Sequence, residues 1–231
     1  MHPFYNLRRL ILAIATCSII GIASASASAD PLTIIQGPPD NTGTDNVLFN
    51  DDSLSHAGLL VQGNFNGDGA GFVIDFTSTG GQLIGNGGQA RVDGGTGNAP
   101  FTNLTFGLEA GATFTHAVFN IDVTNGDELP NTVLITVNGI SGGGIVFSQS
   151  FSVSANGQNF FNVYANDGAA ITSITLNTTD TTFENVQQIR LGGFAGPAAP
   201  VPEPASMFLL GTGLAGLAGA ARRKLRTRNL K

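Results

Sequence analysis

An all-β fold, an antiparallel β-sandwich of jelly-roll-like type, is what this sequence predicts for its central part. Three observations carry the prediction. Apolar residues alternate with polar ones in short runs, the period of a strand with one buried face. Asn-Gly and Asp-Gly dipeptides, which tolerate the positive φ of tight turns, separate many of these runs. Glycine makes up 32 of the 231 residues, about twice its ordinary usage, and no segment between residues 30 and 200 shows the 3.6-residue period of a helix.

The elements follow in chain order. Residues 1–29 read as a secretory signal peptide, with Arg8-Arg9, the apolar run Leu10–Ala15 and the small-residue pattern Ala27-Ser28-Ala29. A mature chain beginning near Asp30 is expected. Cys17, the only cysteine, falls inside this segment. Thr16 and the apolar residues beyond Cys17 argue against a lipidated cysteine. The mature chain then has no thiol, and so no disulfide, thiolate metal site or cysteine nucleophile.

Residues 30–194 are assigned to the sandwich. Strands are expected at Asn46–Asn50, Leu59–Gln62, Phe72–Thr77, Gln89–Asp93, Asn103–Leu108, Phe114–Val123, Thr132–Asn138, Ile145–Val153, Asn159–Ala165, Ile171–Leu176 and Val186–Leu191. Within Phe114–Val123, Thr115, Ala117, Phe119, Ile121 and Val123 form the more apolar face, so the strand is expected to be half buried. Turns are expected at Asn66–Gly69, Asn125–Asp127, Asn156-Gly157 and Asn166–Gly168. No fixed-period repeat points to a solenoid or propeller. Ala195–Pro200 reads as a linker.

Residues 201–231 divide into three pieces. Pro202 and Pro204 hold the backbone around Glu203 extended, since proline fixes its own φ and disfavours helix in the residue before it. Ala205–Ala221 carries no charge and reads as a transmembrane helix. Its length of about 25 Å is short against a hydrocarbon core of about 30 Å. Arg222, Arg223 and Lys224 then form a cytoplasmic stop by the positive-inside rule and place the preceding domain outside. This order of extended motif, apolar span and basic tail, behind a signal peptide, resembles the PEP-CTERM sorting signal of Gram-negative bacteria. Phe183–Arg190 and Asn156–Ala165 are also similar to strands of domains that such proteins carry. The resemblance implies export by the secretion machinery, anchoring in the inner membrane, and recognition by an exosortase near Pro202, Glu203 and Pro204. It also implies association with exopolysaccharide and biofilm, at the cell surface or outside the cell.

Charge narrows the partners. Residues 30–202 hold fifteen Asp and Glu but only Arg91 and Arg190 as cations, a balance of −13 (2 minus 15) against −6 for the whole chain. Nucleic acid is therefore excluded, because nothing basic replaces the phosphate counterions. Divalent cations and neutral polymers fit better. In Asn64–Asp75, Asn64, Asn66 and Asp68 stand at positions 1, 3 and 5 of an EF-hand-like spacing, Gly69 at 6 and Asp75 at 12. That pattern is a candidate Ca²⁺ loop. Against it, position 1 is Asn, position 12 is the shorter Asp, and a strand follows in place of a helix, which favours a plain glycine-rich turn.

Catalytic signals are thin. His56 and His116 are the only histidines after residue 30, and no H-E-x-x-H, G-x-S-x-G or P-loop is present. Asp51-Asp52 and Asp127-Glu128 read as solvated loop charges. With no Trp and only Tyr164 in the mature chain, the aromatic platform of sugar-binding sandwiches is missing, and the Phe residues read as core. The expectation is a non-enzymatic, cofactor-free surface or matrix protein. The alternatives are a Ca²⁺-dependent carbohydrate-binding module and, third, a secreted hydrolase.

Overall fold

The computed structural model describes residues 30–87, 90–95, 99–124, 131–155 and 158–197. The signal peptide, the sorting segment 201–231 with its apolar run, and the turns expected at Asn125–Asp127 and Asn156-Gly157 lie outside the described residues, as does Asp127-Glu128. Among the described residues no helix is long and apolar enough to cross a membrane.

The strands are β1 (Leu32–Gln36), β2 (Thr44–Leu48), β3 (Ala57–Gly58), β4 (Leu60–Phe65), β5 (Val73–Thr77), β6 (Leu83–Asn86), β7 (Arg91–Gly94), β8 (Asn103–Leu108), β9 (His116–Val123), β10 (Asn131–Ile140), β11 (Gly144–Val153), β12 (Asn159–Ala165), β13 (Ala170–Thr178) and β14 (Phe183–Gly192). Every pairing is antiparallel. One hydrogen-bonded path runs β1-β12-β9-β14-β2-β4-β5-β8-β13-β10-β11, with β7, β6 and β3 attached beside β14.

The fold is thus all-β and antiparallel, as expected, but it is one wrapped sheet in place of two separate ones. The reason is β2, which changes partner along its length. Thr44–Asn46 pair with β14, and Val47 and Leu48 pair with β4. The sheet nearly closes, since Gln36 of β1 donates from Nε2 to the Ser152 carbonyl of β11 at 3.0 Å. Bringing its two ends together leaves less unpaired edge exposed.

Alternation fills the interior. Val61, Ile74, Phe76, Leu104, Phe106, Val133, Ile135 and Val137 are buried from one half of the path, and Phe119, Ile121, Phe161, Val163, Val186 and Leu191 from the other. The Phe residues are core, as read from the sequence. They form a chain of rings from Phe49 through Phe76, Phe106, Phe119 and Phe161 to Phe151, with centroids 5.1–5.7 Å apart at each step.

Three differences from expectation have physical causes. β1, β3 and β6 escape the period-two reading because they are short and flanked or interrupted by glycine. The Asn166–Gly168 turn forms as read, with Asp167 and Gly168 at φ 53° and 77°. However, it is no hairpin: it carries the chain from β12, paired with β1 and β9, to β13, paired with β10 and β8. β9 is buried on both faces, with His116, Val118 and Asn120 covered as well. The segment after β1 helps cover that outer face. Gly37 N–H donates to the Phe160 carbonyl, Asp40 N–H donates to Asn162 Oδ1, and Asn162 Nδ2 donates to the Pro38 carbonyl. At the C-terminal end the expected linker begins tied down, because Ala195 exchanges two backbone hydrogen bonds of 2.9 Å with Thr113.

Candidate functional site

The residues of the candidate Ca²⁺ loop lie on two paired strands and the turn between them. Asn64 lies opposite Val73 at the last pair of the β4–β5 ladder, and Asn66 and Asp68 lie in the turn beyond it. Gly67–Gly69 make a single 3₁₀ turn, and the Gly69 N–H donates to Asp45 Oδ2 at 2.7 Å. A carboxylate of β2 therefore holds this turn, a contact invisible in the loop's own spacing. Asp75 lies opposite Gln62, whose Nε2 donates to Asp75 Oδ1 at 3.0 Å and also to Glu109 Oε1. Partial burial and the neighbouring Asp75 charge push the Glu109 carboxyl above the usual range. Among the described residues no group of three or more His, Asp and Glu side chains is placed to hold a metal ion.

The sequence-flagged acids and histidines are embedded in local structure. Asp51 Oδ1 accepts from the Ser53 N–H and hydroxyl at 3.0 and 2.6 Å, and this holds its carboxyl below the usual range. His56 packs edge-on against Phe49. His116 stacks on Tyr164, with ring centroids 4.4 Å apart and planes 22° apart. Tyr164 donates its hydroxyl to Asp40 Oδ2 at 2.9 Å. Burial, then the Asp40 hydrogen bond, pushes the phenol up to about 12. Hydrogen bonds from Thr42 and Tyr164 hold Asp40 low, and burial lowers His116 despite the Asp40 charge nearby.

His116 binds its proton less well in the folded chain than in the unfolded one. Unfolding therefore takes up protons as pH drops below about 6.5, and stability falls there. The Asp40 contribution is lost in a separate, more acid window, as pH falls through its depressed folded value. Melting curves from pH 8 to 3 are expected to show both losses. His116→Gln should flatten the stretch just below about pH 6.5 and leave the acid limb. A wild-type Tm that is level across that stretch would contradict it.

A concavity lies elsewhere, around Arg190 of β14. Arg91 pairs with Asp93 at 3.0 Å, the one ion pair among the described residues. Among the described residues Arg190 has no carboxylate partner; its guanidinium is held by neutral oxygens. Nε donates to Thr44 Oγ1 at 3.0 Å, Nη2 to the Thr44 carbonyl at 2.9 Å, and Nη1 to Asn46 Oδ1 at 2.6 Å. On one side is a cleft of about 290 Å³ lined by Asn41, Asn46, Val47, Leu48, Gly87, Ala90, Gln188 and Arg190. On the other is one of about 260 Å³ that includes Asp45, Asn66 and Gly67. In the first cleft Ala90 and Gln188 have φ of 50° and 54°, a left-handed backbone that non-glycine residues rarely adopt. Gln188 owes this to a bulge, since the β9–β14 register slips between Gln187 and Arg190. Sequence reasoning noted Arg190 only as one of two cations. The signal that could have found it is that scarcity, but its neighbours come from β2, which is distant in sequence.

The molecule is thus an antiparallel all-β domain ahead of a C-terminal targeting segment. Residues 200–224 match the PEP-CTERM protein-sorting motif. The match takes in Pro202, Glu203, Pro204, the apolar run and Arg222–Lys224, so the chain carries the sorting signal of exosortase substrates. The signal implies an exosortase as processing partner, and an exported protein that is anchored in a membrane and then processed. No curated protein matches the sequence. Among solved structures, the enzymatically active domain of tailspike protein 4 from bacteriophage CBA120 aligns at 14% identity with a TM-score of 0.27. That alignment covers 71% of this chain and 19% of the tailspike chain.

Proposed function

We propose that this chain is a non-enzymatic protein of the cell surface or extracellular matrix, associated with exopolysaccharide. Residues 1–29 direct export. Residues 30–194 form a jelly-roll-like domain, and 195–200 link it to the sorting segment. Ala205–Ala221 span the inner membrane with Arg222, Arg223 and Lys224 on the cytoplasmic side, and an exosortase then cuts near Pro202–Pro204. The observation that carries this reading is the sorting motif at residues 200–224. It begins at residue 200, shortly beyond Ala195, the last described residue bridged into the sheet. The prolines present Glu203 preordered, at low entropic cost. The packed His116 and the hydrogen-bonded Asp51 support a structural role for residues that chemistry would otherwise claim.

Intact mass of the protein recovered from membrane and extracellular fractions of its host tests this. The expected product ends near Pro202–Pro204 and lacks the basic tail, with added mass where it is covalently attached. A membrane product still ending at Lys231 would refute processing.

A further inference from the structure

We propose that the Arg190 cleft binds a carboxylated saccharide, one uronic acid unit of an acidic polysaccharide. The proposal deepens the matrix-protein reading and rests on it for the polymeric form of the ligand.

Charge comes first. In a stretch with fifteen acids and two bases, an anion has few places to bind. Arg91 is occupied by Asp93. Among the described residues Arg190 has no carboxylate partner, and the lining of its larger cleft contains none, whereas the neighbouring cleft contains Asp45. The larger cleft is therefore the favourable side. A guanidinium offers five N–H donors, and Thr44 and Asn46 take three of them. The two left over, one on each Nη, are donors for a carboxylate. The three hydrogen bonds fix the plane of the fork before a ligand arrives, so little side-chain entropy is lost on binding. At physiological salt the Debye length is about 8 Å, so the acids elsewhere on the domain weigh less than this local pair.

The rest of the lining sets the ligand class. The side-chain amides of Asn41 and Gln188 make no hydrogen bonds to other described residues, and Asn46 uses only its oxygen. Amides that both donate and accept suit the hydroxyls of a sugar. Leu48, half-buried beside the core residues Val47 and Ala90, supplies an apolar contact for its C–H face. A bare carboxylate would use the arginine and leave the amides idle. The cleft volume of about 290 Å³ sits at the lower end of ordinary ligand sites, about 300–1,000 Å³. One ring fits, with the chain continuing through the open mouth. Gln188 and Ala90, both in left-handed backbone, flank the cleft where strain commonly marks a binding site.

The experiment is calorimetric titration of the full chain in detergent with trigalacturonate, alongside the neutral galactose trimer and acetate. The expected result is one saturable site for trigalacturonate, none for the neutral trimer, and far weaker uptake of acetate. Arg190→Lys keeps the charge but loses the fork, and should weaken binding about tenfold or more. Because Arg190 also ties β14 to β2, Asn41→Ala provides a second variant in an exposed loop. It should weaken binding about threefold with an unchanged Tm. Absent binding, equal binding of the neutral trimer, acetate binding as tightly as the uronate, or full affinity in both variants would each overturn the proposal. None of these outcomes bears on processing, which is read from the mass of the product, so the two readings fail separately.

Discussion

Phe106→Ala is expected to lower the Tm by about 10 °C. A buried Phe→Ala change costs about 3–5 kcal/mol, and in a domain of this size each kcal/mol moves Tm by about 2–4 °C. Phe106 is fully buried in β8 and stands at the middle of the ring chain. It meets Phe76 on its own half of the sheet at 5.7 Å and Phe119 on the facing half at 5.6 Å, edge to face. Removing it opens a cavity between the two halves, where neither can collapse without dragging a ladder with it. Phe72, partly buried at the rim and stacked on Phe194 at 5.4 Å, is the matched control. Its replacement by Ala should cost less than half as much. Thermal unfolding of the two variants checks the difference. Equal losses would mean that the ring chain does not hold the halves together.

That chain also marks how far the sequence could be read. Phe76, Phe106, Phe119 and Phe161 each sit at alternating positions in runs whose period announces a strand, and their burial follows from it. Which strands face each other does not follow. Phe106 and Phe119 meet because β8 and β9 lie in opposite halves of one path, an outcome of long-range pairing that no local pattern encodes. The same limit explains the Asn166–Gly168 turn: Asn-Asp-Gly specifies the reversal, while the partners of β12 and β13 decide that it joins two halves. The sorting signal was legible because it is linear, with its motif, apolar run and cations adjacent in the chain. The Arg190 cleft was not, because its arginine and amides converge from Asn41, Asn46 and Gln188. The candidate Ca²⁺ spacing was legible as a pattern along the chain, whereas its surroundings were not: Asn64 pairs in the β4–β5 ladder, and the Gly69 N–H of the turn donates to Asp45 of β2.

Gly192→Ala is expected to destabilise the fold by about 3 kcal/mol, comparable to a modest core truncation. Gly192 lies at the end of β14 between two ladders, opposite His116 of β9 and Thr44 of β2. A Cβ there would overlap the backbone carbonyl oxygen of Gly43. A flexible side chain could swing aside, but this carbonyl is anchored by the pairing that begins one residue later. Overpacking ordinarily costs about 1–3 kcal/mol, and a rigid backbone neighbour places this case at the upper end. Gly144, in the outer strand β11, meets nothing within 4 Å of the same imagined atom. Gly144→Ala should be neutral or raise stability by up to about 1 kcal/mol, through lost freedom in the unfolded chain. The comparison reaches function as well as stability. The strand that Gly192→Ala displaces carries Thr44, whose hydroxyl and carbonyl hold Arg190. Its trigalacturonate affinity should therefore fall along with its Tm, while Gly144→Ala leaves both in place. If Gly192→Ala melted like wild type, β2 would have to be free to move off β14. The fixed guanidinium on which the cleft depends would then be lost as a premise.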